Sequence, residues 1–307
     1  MKKYRAVVLV ACTIIALVVL GYLLTRGAHF DVLQPAGAVA KSEKSLMIFA
    51  FSIMMLVVIP VFIMLITFAW KYRAGNDKKV DYRPEWSEHK LLEAVWWGIP
   101  ILIILILGTT AWITAHTLDP YRKIDSKAAP VNVQVVALEW KWLFIYPDLG
   151  VASVNELPVP VNTPIHFTIS ADAPMSAFWV PALGTQIYAM SGMSSQLNLI
   201  ADHTGTFPGY NTNINGEGYA KMKLNVYAKS DKDFLSWVAS ARKSPNMMDE
   251  QMLQKISQPG TMDETAYMLM DENLYDKVIM KYMKGTMSDK GNTGNAMQHD
   301  MSNMEGM

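Results

Sequence analysis

Three apolar runs without a fixed charge constrain the fold of this chain more than any other feature. They are Ala6–Leu24, Ser45–Trp70 and Ala94–Leu118. Each is long enough to cross the bilayer, because a helix of about 20 residues spans about 30 Å of hydrocarbon. A buried helix of a large soluble protein is the alternative, but charge-free runs beyond about 18 residues usually mark a membrane span. The sequence therefore predicts a membrane-anchored protein with an N-terminal hydrophobic helix, either signal or anchor, and two further transmembrane helices.

Composition agrees with a membrane protein and excludes several other classes. Hydrophobic residues make up 51% of the 307 residues and charged residues 18%. Lys and Arg number 27 and Asp and Glu number 27, so bulk charge favours no nucleic-acid partner. Cys12 is the single cysteine, which excludes an internal disulfide and any cysteine cluster that would bind zinc or an iron–sulfur centre.

The distribution of basic residues predicts the orientation of the spans. Such residues precede the first run and fill the connection between the second and third: Lys2, Lys3, Arg5, Lys71, Arg73, Lys78, Lys79, Arg83 and Lys90. Basic residues beside spans stay on the cytoplasmic side. We therefore expect a multi-pass protein of the bacterial inner (plasma) membrane, with everything after about His116 in the periplasm.

Cys12 raises the question of lipidation. The residues Leu9–Cys12 are similar to the cleavage box of a bacterial lipoprotein precursor. However, the apolar stretch before the cysteine is shorter than an ordinary signal region, and the hydrophobic run continues to Leu24. A retained anchor helix fits this pattern better, and cleavage with acylation at Cys12 stays open.

The residues after the third span predict a β-sandwich. Short alternating or aromatic runs occur between Pro, Gly and Asn breakers, at Val131–Val136, Trp140–Tyr146, Ile165–Ile169, Leu197–Ile200 and Lys221–Tyr227. Short strands at this spacing are typical of a sandwich or barrel, here from about Pro130 to Ala228.

Beyond Ser230 the pattern becomes helical. Ser230 or Asp231 can cap a helix that buries Phe234, Trp237, Val238 and Ala241, and a second helix near 271–284 carries an apolar stripe. From Gly285 onward the composition predicts disorder. The expected domains are a signal or anchor segment (1–26), a two-helix transmembrane domain (27–120), a cupredoxin-like sandwich (121–229), a helical extension (230–284) and a Met-rich tail (285–307).

Several motifs in this arrangement carry a resemblance to a known family. Two spans and an external sandwich, with Trp140–Trp142, Phe178–Gly184 and the loop Gly209–Met222, resemble subunit II of the haem–copper oxidases. Further segments resemble the quinol-oxidising branch, the cytochrome bo-type ubiquinol oxidases: Phe68–Ala74, Glu93–Trp96, Ile99–Ile103, Phe144–Pro147, Val154–Glu156 and Gln186–Met193. The resemblance covers about Asp31 to Asn246.

The dinuclear copper site of the cytochrome c oxidase branch can be compared position by position. Its two histidines fall on Ser176 and Tyr219, its two cysteines on Asn211 and Asn215, its acidic carbonyl donor on Asn213 and its methionine on Met222. A lone thioether cannot hold a copper pair, because soft thiolates and imidazoles supply the affinity. We therefore expect no metal and no cofactor in this chain, a packing role for Met222, Trp140 and Trp142, and electrons that enter through the membrane partner.

The resemblance implies a non-redox subunit of a proton-pumping ubiquinol oxidase that reduces dioxygen to water. Haem groups and copper would lie in subunit I, and the partners would be subunits I, III and IV, membrane lipid and ubiquinol. Glu93, at the cytoplasmic start of the third run, falls where the resemblance places the mouth of a proton channel. A solvated carboxylate at a helix N-terminus is the alternative interpretation of Glu93.

Two other functions stay open at this point. One is an electron-accepting subunit II of a cytochrome c oxidase, and the other is a membrane-tethered copper-binding module. The tail contributes a secondary hypothesis of loose copper(I) binding, based on Met287, Met297, His299, Met301, Met304 and Met307.

Overall fold

The computed structural model describes residues 30–73 and 88–283, together with residues 16, 19–23, 26 and 85. The first span is therefore described only in part, as a helical stretch over 19–23. Cys12 and the Met-rich tail lie outside the described residues, so the expectations for lipidation, tail disorder and tail copper binding stay predictions.

Two long helices correspond to the second and third apolar runs. Helix α1 spans Ala38–Lys71 and helix α2 spans Lys90–Thr117. Each is long and apolar enough to cross a membrane. Both begin before the charge-free runs, because the helical backbone continues into the polar residues that precede them. Most of their side chains are exposed in the isolated chain, as expected for helices that face lipid or a partner subunit.

The sandwich consists of two sheets. The strands are β1 (Val131–Leu138), β2 (Lys141–Tyr146), β3 (Val151–Val154), β4 (Glu156–Pro160), β5 (Pro164–Ala171), β6 (Ser176–Trp179), β7 (Ile187–Ala189), β8 (Ser195–Ile200), β9 (Gly205–Asn211), β10 (Lys223–Lys229), β11 (Met247–Met248) and β12 (Thr265–Leu269). The larger sheet has the order β11-β12-β3-β2-β1-β5-β8, and the smaller has the order β4-β10-β9-β6-β7. The predicted sandwich is confirmed.

Strand β2 shows how the sequence fills two cores. All six of its residues are buried, because both faces of the larger sheet are covered. Trp142, Phe144 and Tyr146 belong to the core between the sheets, whereas Leu143 and Ile145 belong to a second core beneath the C-terminal extension. The aromatic run in the sequence is thus a strand whose alternate side chains belong to two different cores.

The C-terminal extension packs on both cores. Its first helix contributes Phe234, Val238 and Ala241 to the core between the sheets, and its later residues form the second core on the other face of the larger sheet. Its helices are α3 (Asp231–Ala241), α4 (Glu250–Ile256) and α5 (274–283). Ser230 caps α3 as predicted, since its hydroxyl accepts a hydrogen bond from the backbone N–H of Asp233 at 3.2 Å. The expectation of a purely helical extension was incomplete. Strand β12 pairs with β3 and β11 pairs with β12, which covers an edge that β3 would otherwise expose.

Two buried charged side chains fix this extension. The ammonium group of Lys141 donates to the backbone oxygens of Ile256 and Gln258, both at 2.7 Å. Burial lowers the pKa of Lys141. The carboxylate of Asp172 accepts hydrogen bonds from Lys281 Nζ at 2.6 Å and Tyr282 Oη at 2.7 Å. The extension is therefore bound by charge-assisted hydrogen bonds as well as by apolar burial.

The start of α1 is docked onto one end of the sandwich through its backbone. Four contacts connect the segment to the 180–184 loop and to the residues after β8: Ala36 N–H to Ala182 O at 2.7 Å, Ala40 N–H to Leu183 O at 3.2 Å, Asp202 N–H to Ala36 O at 2.8 Å, and Lys41 Nζ to Asp202 Oδ2 at 2.5 Å. The chain after α2 is held at the same end, because Asn198 donates two hydrogen bonds to Pro120 O.

Gly37 makes this docking possible. A Cβ atom at this position would overlap the backbone oxygen of Ile200 and would lie 3.0 Å from that of Leu183. Neither oxygen belongs to a flexible side chain. The segment can approach the sandwich this closely only because residue 37 has no side chain.

Gly37→Ala is therefore expected to weaken the docking of α1 by about 1–3 kcal/mol, the usual cost of overpacking a tight contact. Hydrogen exchange at the 180–184 loop should rise, and the thermal midpoint of the purified assembly should fall. Gly108→Ala is the matched control, because a Cβ atom at Gly108 would extend into open space. Equal behaviour of the two variants would contradict the docking account.

Candidate functional site

The six positions of the copper-type loop lie at one end of the smaller sheet. Ser176 begins β6, Asn211 ends β9, and Asn213 and Asn215 lie in the loop that follows β9. Tyr219 begins a 3₁₀ turn over Tyr219–Lys221, and Met222 connects this turn to β10. The sequence had placed Lys221 and Met222 in the strand itself.

The polar side chains at these positions bind one another and the neighbouring backbone. Asn215 Nδ2 donates to Ser176 Oγ at 2.8 Å, which joins two positions that are 39 residues apart. Asn211 Oδ1 accepts from the backbone N–H groups of Ala177 at 2.9 Å and Asn213 at 3.1 Å. Asn213 Nδ2 donates to a backbone oxygen, that of Met175, at 2.7 Å. We call Ser176, Asn211, Asn213 and Asn215 the amide cluster.

Met222 and Tyr219 are not part of the amide cluster's hydrogen-bond network. The side chain of Met222 is buried in the core between the sheets. Its backbone oxygen accepts from Asn211 N–H at 3.2 Å, so the backbone, and not the thioether, connects it to the cluster. Tyr219 is half-buried.

Trp140 packs beneath the same loop. It occupies the turn between β1 and β2 with a φ of 67°, a left-handed conformation that is strained for a bulky residue. A Cβ atom at Gly218 would overlap the Trp140 indole, so the loop lies directly on the ring. Trp142 contacts Phe178 edge to face, with ring centroids 5.3 Å apart. Both tryptophans pack in this structure.

The donor atoms of the amide cluster do not fit a dinuclear copper site. Amide groups stand in place of the two thiolates and hydroxyl groups in place of the two imidazoles, and an amide Nδ2 presents N–H bonds in place of a lone pair. Asn211 Nδ2 and Asn215 Oδ1 are buried without a hydrogen-bond partner among the described residues. Of these two atoms only Oδ1 carries a free lone pair, and a neutral amide oxygen is not a soft ligand of the kind that binds copper. Within the described part of the chain, no group of three or more His, Cys, Asp and Glu side chains could hold a metal ion.

Glu93 is separated from the amide cluster by the length of α2. It is in the first turn of α2, whereas the sandwich follows the last turn of that helix. His89 caps the helix, because its Nδ1 accepts from Leu92 N–H at 3.2 Å. Glu93 is exposed in the isolated chain. The structure therefore places the two predicted sites at opposite ends of α2.

Two charged side chains, Lys141 and Glu43, were not identified from the sequence as important. Lys141 is buried and stabilises the C-terminal extension, and Glu43 lines a cleft. Lys141 was noted only as part of the Trp140–Trp142 motif, although a lysine inside an otherwise apolar strand was a signal of a buried cation. Glu43 lines a cleft between α1 and α2 and accepts a backbone hydrogen bond from Thr185. The sequence held no such signal for Glu43, because it lies between Ser42 and Lys44 in a polar stretch.

The chain is similar to several known proteins over most of its length. The family described as cytochrome C oxidase subunit II, periplasmic domain, matches residues 147–229. The cytochrome bo(3) ubiquinol oxidase subunit 2 of Pseudomonas putida is 44% identical over 264 residues, covering 86% of this chain and 84% of the relative. The ubiquinol oxidase subunit 2 of Acetobacter aceti is 39% identical over 287 residues, covering 93% of each. A relative from Pseudomonas aeruginosa, also a cytochrome bo(3) ubiquinol oxidase subunit 2, is 40% identical and covers 85% of this chain and 78% of its own length.

The family match and the matches to ubiquinol oxidase subunits are consistent with each other. A chain with the sandwich of the cytochrome c oxidase subunit, but with the amide cluster at the copper positions, is expected to match both. The first reports the shared sandwich, and the second extends over the membrane helices and most of the extension. The chain belongs to the family of subunit 2 of the cytochrome bo(3)-type ubiquinol oxidases.

Proposed function

We propose that this chain is an electronically silent subunit of a proton-pumping ubiquinol oxidase, the complex that oxidises ubiquinol and reduces dioxygen to water. The observation that carries the proposal is the amide cluster. Asn211, Asn215 and Ser176 are engaged in hydrogen bonds where the related copper subunits have thiolate and imidazole ligands. Without such ligands the sandwich offers no redox centre, so electrons reach the oxygen-reducing site by another route.

The rest of the complex follows from this assignment. Haem groups and copper would be held by subunit I, and subunits III and IV would complete the assembly in the bacterial inner membrane. This chain would cross that membrane as a multi-pass protein with the sandwich in the periplasm. The apolar and almost fully exposed surfaces of α1 and α2 support this arrangement, since they need lipid or a partner to cover them.

The two alternative functions make different demands on the sandwich. An electron-accepting subunit of a cytochrome c oxidase needs the copper pair, and a copper-binding module needs a soft-ligand site. The donor set of the amide cluster suits neither. The relatives over most of the chain length are also ubiquinol oxidase subunits. We therefore retain the quinol oxidase assignment.

The assignment predicts which electron donor the purified complex accepts. With ubiquinol, oxygen consumption should be rapid, whereas reduced cytochrome c should support no consumption above the background of autoxidation. Both donors are measured with one preparation in an oxygen electrode. Sustained turnover with cytochrome c as sole donor would sink the proposal.

We propose in addition that Glu93 collects protons at the cytoplasmic mouth of a channel into subunit I. Its carboxylate is exposed in the first helical turn, at the end of α2 that is remote from the sandwich. A carboxylate at the membrane edge can exchange protons with water and deliver them to a polar path.

Glu93→Gln should lower quinol oxidase turnover several-fold while assembly and haem content remain unchanged, because the amide cannot carry a proton. Glu93→Asp should restore part of the rate. Glu88→Gln is the control, since Glu88 is an exposed carboxylate just before the same helix. If Glu93→Gln and Glu88→Gln have the same turnover as the unmodified complex, Glu93 is only a solvated helix-terminal residue.

A further inference from the structure

A continuous groove runs between α1 and α2 from the sandwich into the membrane. It consists of three cavities of about 190, 560 and 500 Å³. The first and second share Leu118 and Thr185, and the second and third share Ala50 and Leu107. We call these cavities the head region, the middle region and the deep region of the groove.

The deep region is lined only by apolar side chains, among them Met54, Val57 and Ile103. The middle region adds the hydroxyl groups of Thr110 and Thr114, but both donate to backbone oxygens one turn earlier in α2, at 2.8 Å. These hydroxyl donors are already used, so this part of the groove has little to offer a polar ligand, apart from Glu43 beside Thr185 at the boundary with the head region. A hydrocarbon chain suits such a surface.

The length of the groove also suits an acyl chain. Along α2 it extends from Leu118 to Ile103, which corresponds to roughly 22 Å at 1.5 Å per residue. One leaflet contributes about half of the roughly 30 Å hydrocarbon core. The groove thus reaches from the outer membrane surface through the depth of one leaflet.

The head region carries two cations that are available to a ligand. Arg122 and Lys123 line it, both are exposed, and neither forms an ion pair with any described residue. The neighbouring lysines of α1 are engaged elsewhere, since Lys41 pairs with Asp202 and Lys44 donates to Leu33 O at 2.8 Å. Two unpaired cations at the mouth of an apolar groove match a lipid phosphate.

Carboxylates at the same mouth indicate the rest of the headgroup. Asp125 lines the head region beside the two cations, and Glu43 lines the adjoining middle region. Asp119 also lines the head region, but its Oδ1 accepts from Tyr121 N–H at 2.9 Å. One oxygen of Glu43 likewise accepts from the backbone N–H of Thr185, which leaves its second oxygen. Asp125 and the second carboxylate oxygen of Glu43 can therefore accept hydrogen bonds from a primary ammonium group, which a quaternary ammonium cannot donate.

We propose that this groove binds one molecule of phosphatidylethanolamine from the outer leaflet. Its phosphate would lie against Arg122 and Lys123, its ammonium group against Asp125 and Glu43, and one acyl chain between α1 and α2. The charge pattern favours this occupant over a side chain of a partner subunit, because the headgroup places both charge signs beside an apolar chain.

The test uses the intact oxidase. The complex is stripped of lipid in detergent, reconstituted into nanodiscs that contain phosphatidylethanolamine, phosphatidylglycerol or phosphatidylcholine, and examined by native mass spectrometry for retained lipid. One phosphatidylethanolamine should be retained per complex, at higher occupancy than the other two lipids. A phosphatidylethanolamine with a photoreactive acyl chain should label peptides that contain Ile103, Leu107 or Ala111.

Two variants distinguish the contribution of the headgroup contacts from that of the acyl-chain contacts. Arg122→Ala with Lys123→Ala should lower retention roughly fivefold for each lost cation, as expected for basic residues at a membrane surface. Lys127→Ala with Lys232→Ala removes the same charge at exposed positions outside the groove and should change nothing. Ala111→Leu fills the middle region and should reduce retention with the headgroup contacts intact.

Several outcomes would overturn the proposal. Equal retention of all three lipids would refute the headgroup assignment. Absence of both lipid adduct and acyl-chain labelling in the unmodified complex would show that a partner subunit fills the groove. If Ala111→Leu prevents assembly, the charge variants and the labelling pattern still decide, because Arg122 and Lys123 are exposed and outside the helix.

Discussion

The close approach of α1 to the sandwich at Gly37 is the contact on which the arrangement of this chain depends. Backbone hydrogen bonds from Ala36 and Ala40 connect the start of the helix to the 180–184 loop, and the end of α2 is held beside them through Pro120. Both long apolar helices are thereby fixed to one end of the sandwich. These few contacts hold the domain close to the helices without a long flexible linker.

The sandwich retains its form although its loop has amides in place of copper ligands. The reason lies in the core between the sheets, where Trp142 and Phe144 each pack edge to face against Phe178. The amide cluster keeps strand β6 and the loop after β9 together through hydrogen bonds, which replaces the connection that a metal would make. Trp140 fills the space beneath Gly218 and tolerates a strained φ, because the loop packs on its ring.

Much of the architecture could be predicted from sequence, and the rest depended on distant contacts. Charge-free runs identified α1 and α2, and alternation identified β1 and β5, because both signals are local. The cap at Ser230 was equally local. Strands β11 and β12 were missed, since these short segments are strands only because β3 offers an edge. The role of Gly37 and the acceptors of Lys141 were also invisible, because the partners lie more than 100 residues away. At the site, position-by-position comparison named the residues of the amide cluster, but not their hydrogen bonds.

The central claim is that no electron passes through this subunit. Electron paramagnetic resonance of the intact, partly reduced oxidase tests it most directly, with copper quantified in the same sample. The account predicts no mixed-valence dinuclear copper signal, and copper content unchanged by replacing Asn211 and Met222 with alanine. A stoichiometric mixed-valence signal that disappears with those replacements would contradict it.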